Sequence, residues 1–490
     1  MSYDALIAHV KQTEALSQAQ GLLGWDQQAM MPPRGGDQRA DQIGALESVI
    51  HARRTDPRIG DWLSDIDGGA LDPAQAANVR LISRDWLRNR NMPGDLAEAI
   101  ARATSKGHNV WAAARAASDV ATFVPALTEI VNLKRQQAEA QRLDDETRYD
   151  TLLDGFEPGM RTAPLESILG SLRAPLSDLR ERIADSGRDP RDLDGTFGVE
   201  GQMSIARDLA GVFGYDWQAG RMDLVAHPFC AGTLGDVRIT TRVDTARPFD
   251  CLYSAVHEVG HAVYEQGLPP ALERTPAGAH VSMGVHESQS RLMENQLGRS
   301  RAFCGWLHGR MVQTFGIDMG EQEFYAAVNR VTSGFIRTEA DEVHYNLHVI
   351  MRFDLERALI AGDLEVPDLE GAWNERFAAD FGQQVTDPAK GVLQDVHWAV
   401  GLFGYFPTYA LGNIYAAALY EKLTTAIPDL NARLAQGDTS AAVAWLGRNV
   451  HRHGAVLPAP ALMRQAVGGE VTSAPLIAYL ETKFSDLYGV

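Results

Sequence analysis

The chain has 490 residues, 45% hydrophobic and 22% charged, the profile of a globular protein and not of a fibrous or disordered one. Its 64 Asp and Glu against 45 Lys and Arg leave a formal charge of −19. That excess argues against a nucleic-acid partner, because phosphate contacts need cations clustered on one face.

From the N-terminus, residues 1–20 read as an amphipathic helix without a long apolar run or an A-x-A cleavage site, so no secretory signal is expected. Met31-Pro32-Pro33-Arg34-Gly35-Gly36 makes the first break, followed by 185–194 and Leu268-Pro269-Pro270. Stretches 101–145, 160–185, 321–360 and 414–450 carry apolar residues at three- and four-residue spacing, which predicts helices. Only 235–243 alternates β-branched and polar residues and predicts a strand. No repeat and no low-complexity linker divides the chain. Length allows two to four domains, or one large helical domain with two lobes. The expected class is mainly α, with a small sheet just ahead of the helix that carries the chemistry.

Cys230, Cys251 and Cys304 are odd in number and contain no close pair, so neither a disulfide framework nor a four-thiolate zinc site is expected. Thiols of this kind fit a reducing compartment such as the cytoplasm, where a buried Cys acts as a small hydrophobe. Residues 398–420 hold no charge and are long enough to span a bilayer. Yet they include Pro407, Asn413, three glycines and four tyrosines, with no basic cluster at either flank. They are expected to form a buried wall, with no membrane partner.

The chemistry concentrates in the predicted helix 250–266, with Asp250 as N-cap and Gly267 as stop. Inside it lies His257-Glu258-Val259-Gly260-His261, an H-E-x-x-H pattern. Residues four apart share a helix face, so both imidazoles can reach one metal ion. Glu258 is one position round, unsuited to ligation but suited to act as general base on a water at the ion's open position. Apolar neighbours Val256, Val259, Ala262 and Val263 argue against two incidental surface histidines, since a buried Glu without a partner is costly. A second helix over 282–297 offers His286, Glu287 and Glu294 as third ligand. Glu287 and Glu294 are seven apart and share a face, so one can ligate while the other supports a histidine ring.

Further segments accompany the pattern: His227-Pro228-Phe229, Asp236-Val237-Arg238-Ile239-Thr240, His286-Glu287-Ser288-Gln289, Ile336-Arg337-Thr338-Glu339-Ala340-Asp341-Glu342 and Gly391-Val392-Leu393-Gln394-Asp395-Val396-His397-Trp398. In this order, and with Gly24-Trp25-Asp26 near the start and Tyr479-Leu480-Glu481-Thr482-Lys483-Phe484 near the end, the chain resembles the carboxypeptidase Taq family of zinc metallocarboxypeptidases. The resemblance runs over essentially all of 1–490 and implies a single catalytic domain. It implies Glu287 as third ligand, and a two-lobed helical fold with a deep central groove and the metal at its floor. It also implies a homodimer that removes single C-terminal residues from peptides, one zinc per chain being the expected cofactor; cobalt fits the same donors.

Such an enzyme needs a donor facing the developing oxyanion, for which His227, His397, Tyr405 and Tyr409 are the candidates. It also needs a fork for the substrate's free carboxylate. Arg337 is the first candidate, expected at the head of a helix with Asp341 one turn on to hold the guanidinium. Arg238 is the second, either beside the substrate backbone or paired with Asp236 on the same strand face. His344 and His348, four apart, lack a Glu placed to act as base and are expected as solvated or groove-lining residues instead of a second metal site. The rival readings are an H-E-x-x-H endopeptidase, an aminopeptidase, or a non-catalytic metal-binding scaffold, for which an intact Glu258 has no use.

Overall fold

A computed structural model describes residues 2–143 and 145–490. Helices dominate, and the described strands form one three-stranded sheet. The chain divides into two compact units, each assembled from three separate stretches.

The first unit takes Met1–Asn89, Pro190–Asn329 and Tyr415–Val471. Its opening helix, Ser2–Ala29, runs past the expected 1–20, and Met31 to Gly36 make the predicted break before Gly36–Arg54. Leu6, Ile59 and Ile82 pack a small core there, flanked by Trp62 and Trp86. The predicted strand is real but shorter: β1 (Met222–Leu224), β2 (Cys230–Thr233) and β3 (Asp236–Thr241) run in the order β1-β3-β2. β3 is parallel to β1 and antiparallel to β2, with Ile239 opposite both Met222 and Cys230. Thr241 at its end fastens the sheet to the next helix, donating its hydroxyl to the Cys251 carbonyl at 3.0 Å.

That helix is Pro248–Gln266. Its N-cap is Arg247 and not Asp250, because Pro248 occupies the first turn, where its missing N–H costs nothing. Asp250 stays in that first turn, where a carboxylate suits the helix dipole, and pairs with Arg242 at 3.3 Å. The helix that follows starts where expected: Ser282 caps Met283–Arg291 by accepting from the Val285 N–H at 3.2 Å. It then widens into a π-helical turn over Leu292–Gly298.

The second unit takes Arg90–Asp189, Arg330–Ile414 and Thr472–Val490. The predicted 101–145 segment is two helices, Gly94–Ala117 and Val120–Gln141, parted by Ser118 in the left-handed region (φ 52°) and the cap Asp119. The expected 321–360 helix is also interrupted. It ends at Val328 and resumes at Glu342–Ala361, because the Asp341 carboxylate accepts from the Val343 and His344 N–H groups and starts a new helix. The closing motif clasps the same helix, with Lys483 Nζ 2.5 Å from Glu342 and the Tyr479 hydroxyl donating to it at 3.0 Å. Of the uncharged 398–420 segment, the part from Phe406 belongs to the helix Phe406–Ala426. No described helix is long and apolar enough to cross a membrane.

Candidate metal centre and the Arg337 cluster

The two imidazoles of the H-E-x-x-H helix converge on the next helix. Glu287 Oε2 lies 3.8 Å from His257 Nε2 and 3.5 Å from His261 Nε2. On the other side of each ring, His257 Nδ1 meets Glu294 Oε2 at 2.9 Å and His261 Nδ1 meets the His286 carbonyl at 3.2 Å. A carboxylate and a carbonyl can only accept, so each Nδ1 carries a proton and both Nε2 atoms are left to ligate. Three ligands at zinc bond lengths of about 2.0–2.2 Å on tetrahedral directions stand about 3.4 Å apart. The observed separations fit such an ion with small adjustment. Glu287's other oxygen accepts from Arg291 Nε at 2.7 Å, which orients the carboxylate.

Gly260, the fourth residue of the motif, makes this approach possible. A Cβ there would sit 2.5 Å from Ser290 Cα and 2.6 Å from the Gln289 carbonyl oxygen. The two helices touch backbone to backbone at that point, and only hydrogen leaves room. The π-helical turn then carries Glu294 to His257, so Glu294 supports the ring while Glu287 faces both Nε2 atoms. Arg299 secures Glu294 from behind at 3.2 Å. His286 is turned away, its Nε2 reaching Glu265 at 3.1 Å.

Burial shapes the protonation of the group. It pushes Glu258 up to about 7, opposed by His257 and reinforced by Glu287 and Glu294. For His257 burial pushes downward, but the Glu287 and Glu294 carboxylates outweigh it and the pKa rises. His261, buried beside His286 and His257, is pushed well down. Cys230 is half-buried, and burial with Glu258 and Glu265 nearby keeps it a thiol.

The remaining candidates divide between the units. His227 is exposed in the bend between β1 and β2. Arg238 adopts the second of its two expected arrangements: Nε and Nη2 donate to Asp236 at 2.8 and 2.9 Å, and the guanidinium stacks over Trp25 at 4.3 Å. The D-x-R-x-T segment and the early G-W-D segment thus hold each other.

In the second unit Arg337 is buried, but Asp341 does not hold it, since Asp341 is committed to its helix cap and to His344 Nδ1 at 2.8 Å. Asp395 does, accepting from Arg337 Nε and Nη2 at 3.0 and 2.8 Å. The other Asp395 oxygen lies 2.6 Å from both Nε and Nη2 of Arg352, which is fully buried over Trp373. Gln394 accepts from the Arg337 backbone N–H at 2.8 Å, so the I-R-T and Q-D-x-H-W segments form one knot. The Tyr345 hydroxyl accepts from Arg337 Nη1 at 3.2 Å. The Tyr409 ring lies 5.1 Å from the guanidinium, and its hydroxyl meets His397 Nε2 at 3.3 Å. Tyr405 packs edge-on against Tyr409 at 5.2 Å.

Two guanidiniums face one carboxylate here. His397 is pushed down to about 3 by burial and Arg337, and His348 well down by burial and Arg352, so neither adds charge at neutral pH. The knot of Arg337, Asp395 and Arg352 therefore retains one net positive charge. Of the two readings of His344 and His348, the solvated one is corrected: both are buried, His344 stacked on Phe381 and His348 tilted against it. Asp395 and Arg352 escaped sequence reasoning, although Asp395 stands inside a recognised segment; nothing in spacing pairs it with a residue 58 positions earlier.

Comparison with known proteins agrees over the full length. The family profile described as carboxypeptidase Taq (M32) metallopeptidase matches residues 5–484. Thermostable carboxypeptidase 1 of Thermus thermophilus is 40% identical, with 100% of this chain and 99% of the relative covered. Among solved structures, the M32 carboxypeptidase of Deinococcus radiodurans R1 superposes with a TM-score of 0.95 at 37% identity, covering 100% of both chains. Trypanosoma cruzi metallocarboxypeptidase 1 gives 0.96 at 32% identity, with 99% of each chain covered.

Proposed function

The chain belongs to the carboxypeptidase Taq (M32) family of metallopeptidases and is a metal-dependent carboxypeptidase, and from that premise we propose that one zinc ion per chain is held by His257, His261 and Glu287. The observation that carries this reading is the shared facing of the two Nε2 atoms toward Glu287 Oε2, with both Nδ1 atoms tied down. Cobalt suits the same donors. When bound, the ion supplies Lewis-acid polarisation of the scissile carbonyl and of the attacking water.

The protein's own groups do the rest. Glu258 takes a proton from the attacking water and returns it to the leaving amine, a task that suits a buried carboxyl between the two proposed ligand histidines. Arg337 takes the terminal carboxylate of the peptide. There one carboxylate, Asp395, serves two buried guanidiniums, and an incoming carboxylate would give Arg337 a second. Arg238 is the weaker choice, because it has the Asp236 carboxylate to itself, whereas Arg337 shares Asp395 with Arg352. His397, Tyr405 and Tyr409 line the Arg337 side, and with His227 they remain the candidate donors to the oxyanion. We further take 1–490 as a single catalytic domain, since neither unit is one continuous stretch of chain. The family resemblance supports a homodimer, and three free thiols support the cytoplasm.

Two substrates and one variant test the anchor. Amidating a good peptide removes its carboxylate and should abolish most cleavage by the wild type. Arg337→Ala should lose about 10²-fold in kcat/KM on the free acid, from misplacement of the scissile bond. Amidation should then change little further. Equal cleavage of both peptides by the wild type would remove Arg337 from the carboxylate site.

A further inference from the structure

The peptidase centre is not the only convergence of donors on the H-E-x-x-H helix. Two turns beyond His257, Glu265 accepts on one oxygen, Oε1, from two further histidines: His280 Nδ1 at 2.8 Å and His286 Nε2 at 3.1 Å. The three donor atoms lie within 4.8 Å of one another, and none serves the peptidase centre. We propose that Glu265, His280 and His286 form a second divalent-cation site, separate from the peptidase centre and selective for borderline transition ions such as cobalt, zinc or nickel.

Four features lead there. The donor set is two imidazoles and one carboxylate, which suits those ions and disfavours magnesium and calcium, which prefer oxygen. Glu265 is buried and turns a single oxygen to both histidines, so the three donors converge inside the protein. His280 is 39% exposed at its side chain and offers a path from solvent, whereas Glu265 and His286 are 8% and 12% exposed and form the inner wall.

The fourth feature is that hydrogen bonding alone leaves the cluster incomplete. His280 Nδ1 and His286 Nε2 both crowd one oxygen of a carboxylate that has two, so two rings compete for a single acceptor. A cation replaces the N–H protons at His280 Nδ1 and His286 Nε2. At ligand distances of about 2.0–2.2 Å it requires the donors to open by about half an ångström. The site also adjoins the first, since the His286 ring stacks on His261 at 4.4 Å and its carbonyl holds His261 Nδ1.

Counting metal tests this without reference to turnover. The metal-loaded enzyme, dialysed to equilibrium against cobalt(II), should hold two equivalents per chain, with an added absorption band as the weaker one fills. His280→Ala, at a partly exposed position, should hold one. His257→Ala should keep the equivalent at Glu265 and lose the other, so failure of the peptidase-centre assignment would be read separately. Magnesium in tenfold excess should leave the second equivalent bound. A wild type that never exceeds one equivalent, or a second equivalent that survives both His280→Ala and Glu265→Gln, would overturn the proposal.

Discussion

Asp395→Asn is the most informative single change outside the metal centre. Its carboxylate faces Arg337 and Arg352 through contacts of 3.0, 2.8, 2.6 and 2.6 Å, and both guanidiniums are buried, Arg352 completely. Asparagine keeps the shape but loses the charge, and its NH2 must face one guanidinium donor to donor. Removing one partner of a buried ion pair costs about 3–5 kcal/mol. The loss here falls in that range, because one oxygen still accepts while two cations go uncompensated. Urea denaturation followed by tryptophan fluorescence measures it, Trp373 and Trp398 lying in the same unit. The cost should be constant from about pH 5 to 6, below the range near 7 in which the buried Glu356, coupled to Arg352, ionises. Asp395 is held well below its ordinary value, so its contribution is full above the unfolded pKa of about 3.9 and disappears only in stronger acid. Adding Arg352→Met should recover part of the loss, with a coupling of about 0.5–3 kcal/mol. Metal per chain should not change, since no ligand is touched. An Asn variant within about 0.5 kcal/mol of wild type would refute the compensation argument.

Glu258→Gln should retain metal, as both imidazoles remain, and lose about 10²–10⁴-fold in kcat; near-normal turnover would exclude it as the base. Glu287→Ala should lower bound metal at the peptidase centre in elemental analysis, and full occupancy there would move the third ligand to Glu294. Gly260→Ala drives a methyl to 2.5 Å from Ser290 Cα. It should destabilise by about 1–3 kcal/mol and weaken metal binding by spreading the two helices. Unchanged affinity would mean that their close approach does not set the ligand distance.

Much of the candidate metal centre's geometry was legible because its key spacing is local. His257 and His261 are one helical turn apart, and the helix rule places them side by side whatever surrounds them. The small sheet was legible for the same reason, since alternation over 235–243 is a property of neighbours in the chain. Helix ends were less so. Asp250 has the chemistry of a cap, but Pro248 had already started the helix. Asp341 looked like a partner for Arg337 and is a cap instead. Both errors have one cause: a short carboxylate can satisfy backbone N–H groups or a side chain, and local sequence does not say which.

The mainly helical class and the placing of His257 and His261 on one helix face follow from the order and spacing of residues alone, and the resemblance to the family rests on the motifs in their order. Only the tertiary structure decided which acid holds Arg337, because Asp395 lies 58 residues away and Arg352 approaches the same carboxylate from a different turn. It also decided the division of labour between Glu287 and Glu294, equivalent by period but separated by a π-helical turn that sends one to the Nε2 atoms and the other to a ring's far side. The meeting of Glu265, His280 and His286 belongs to the same class. Short-range geometry is imposed by backbone sterics and can be read one element at a time. Buried charges find their partners only where separate elements pack, since desolvation must be offset by whichever opposite charge the fold brings within reach.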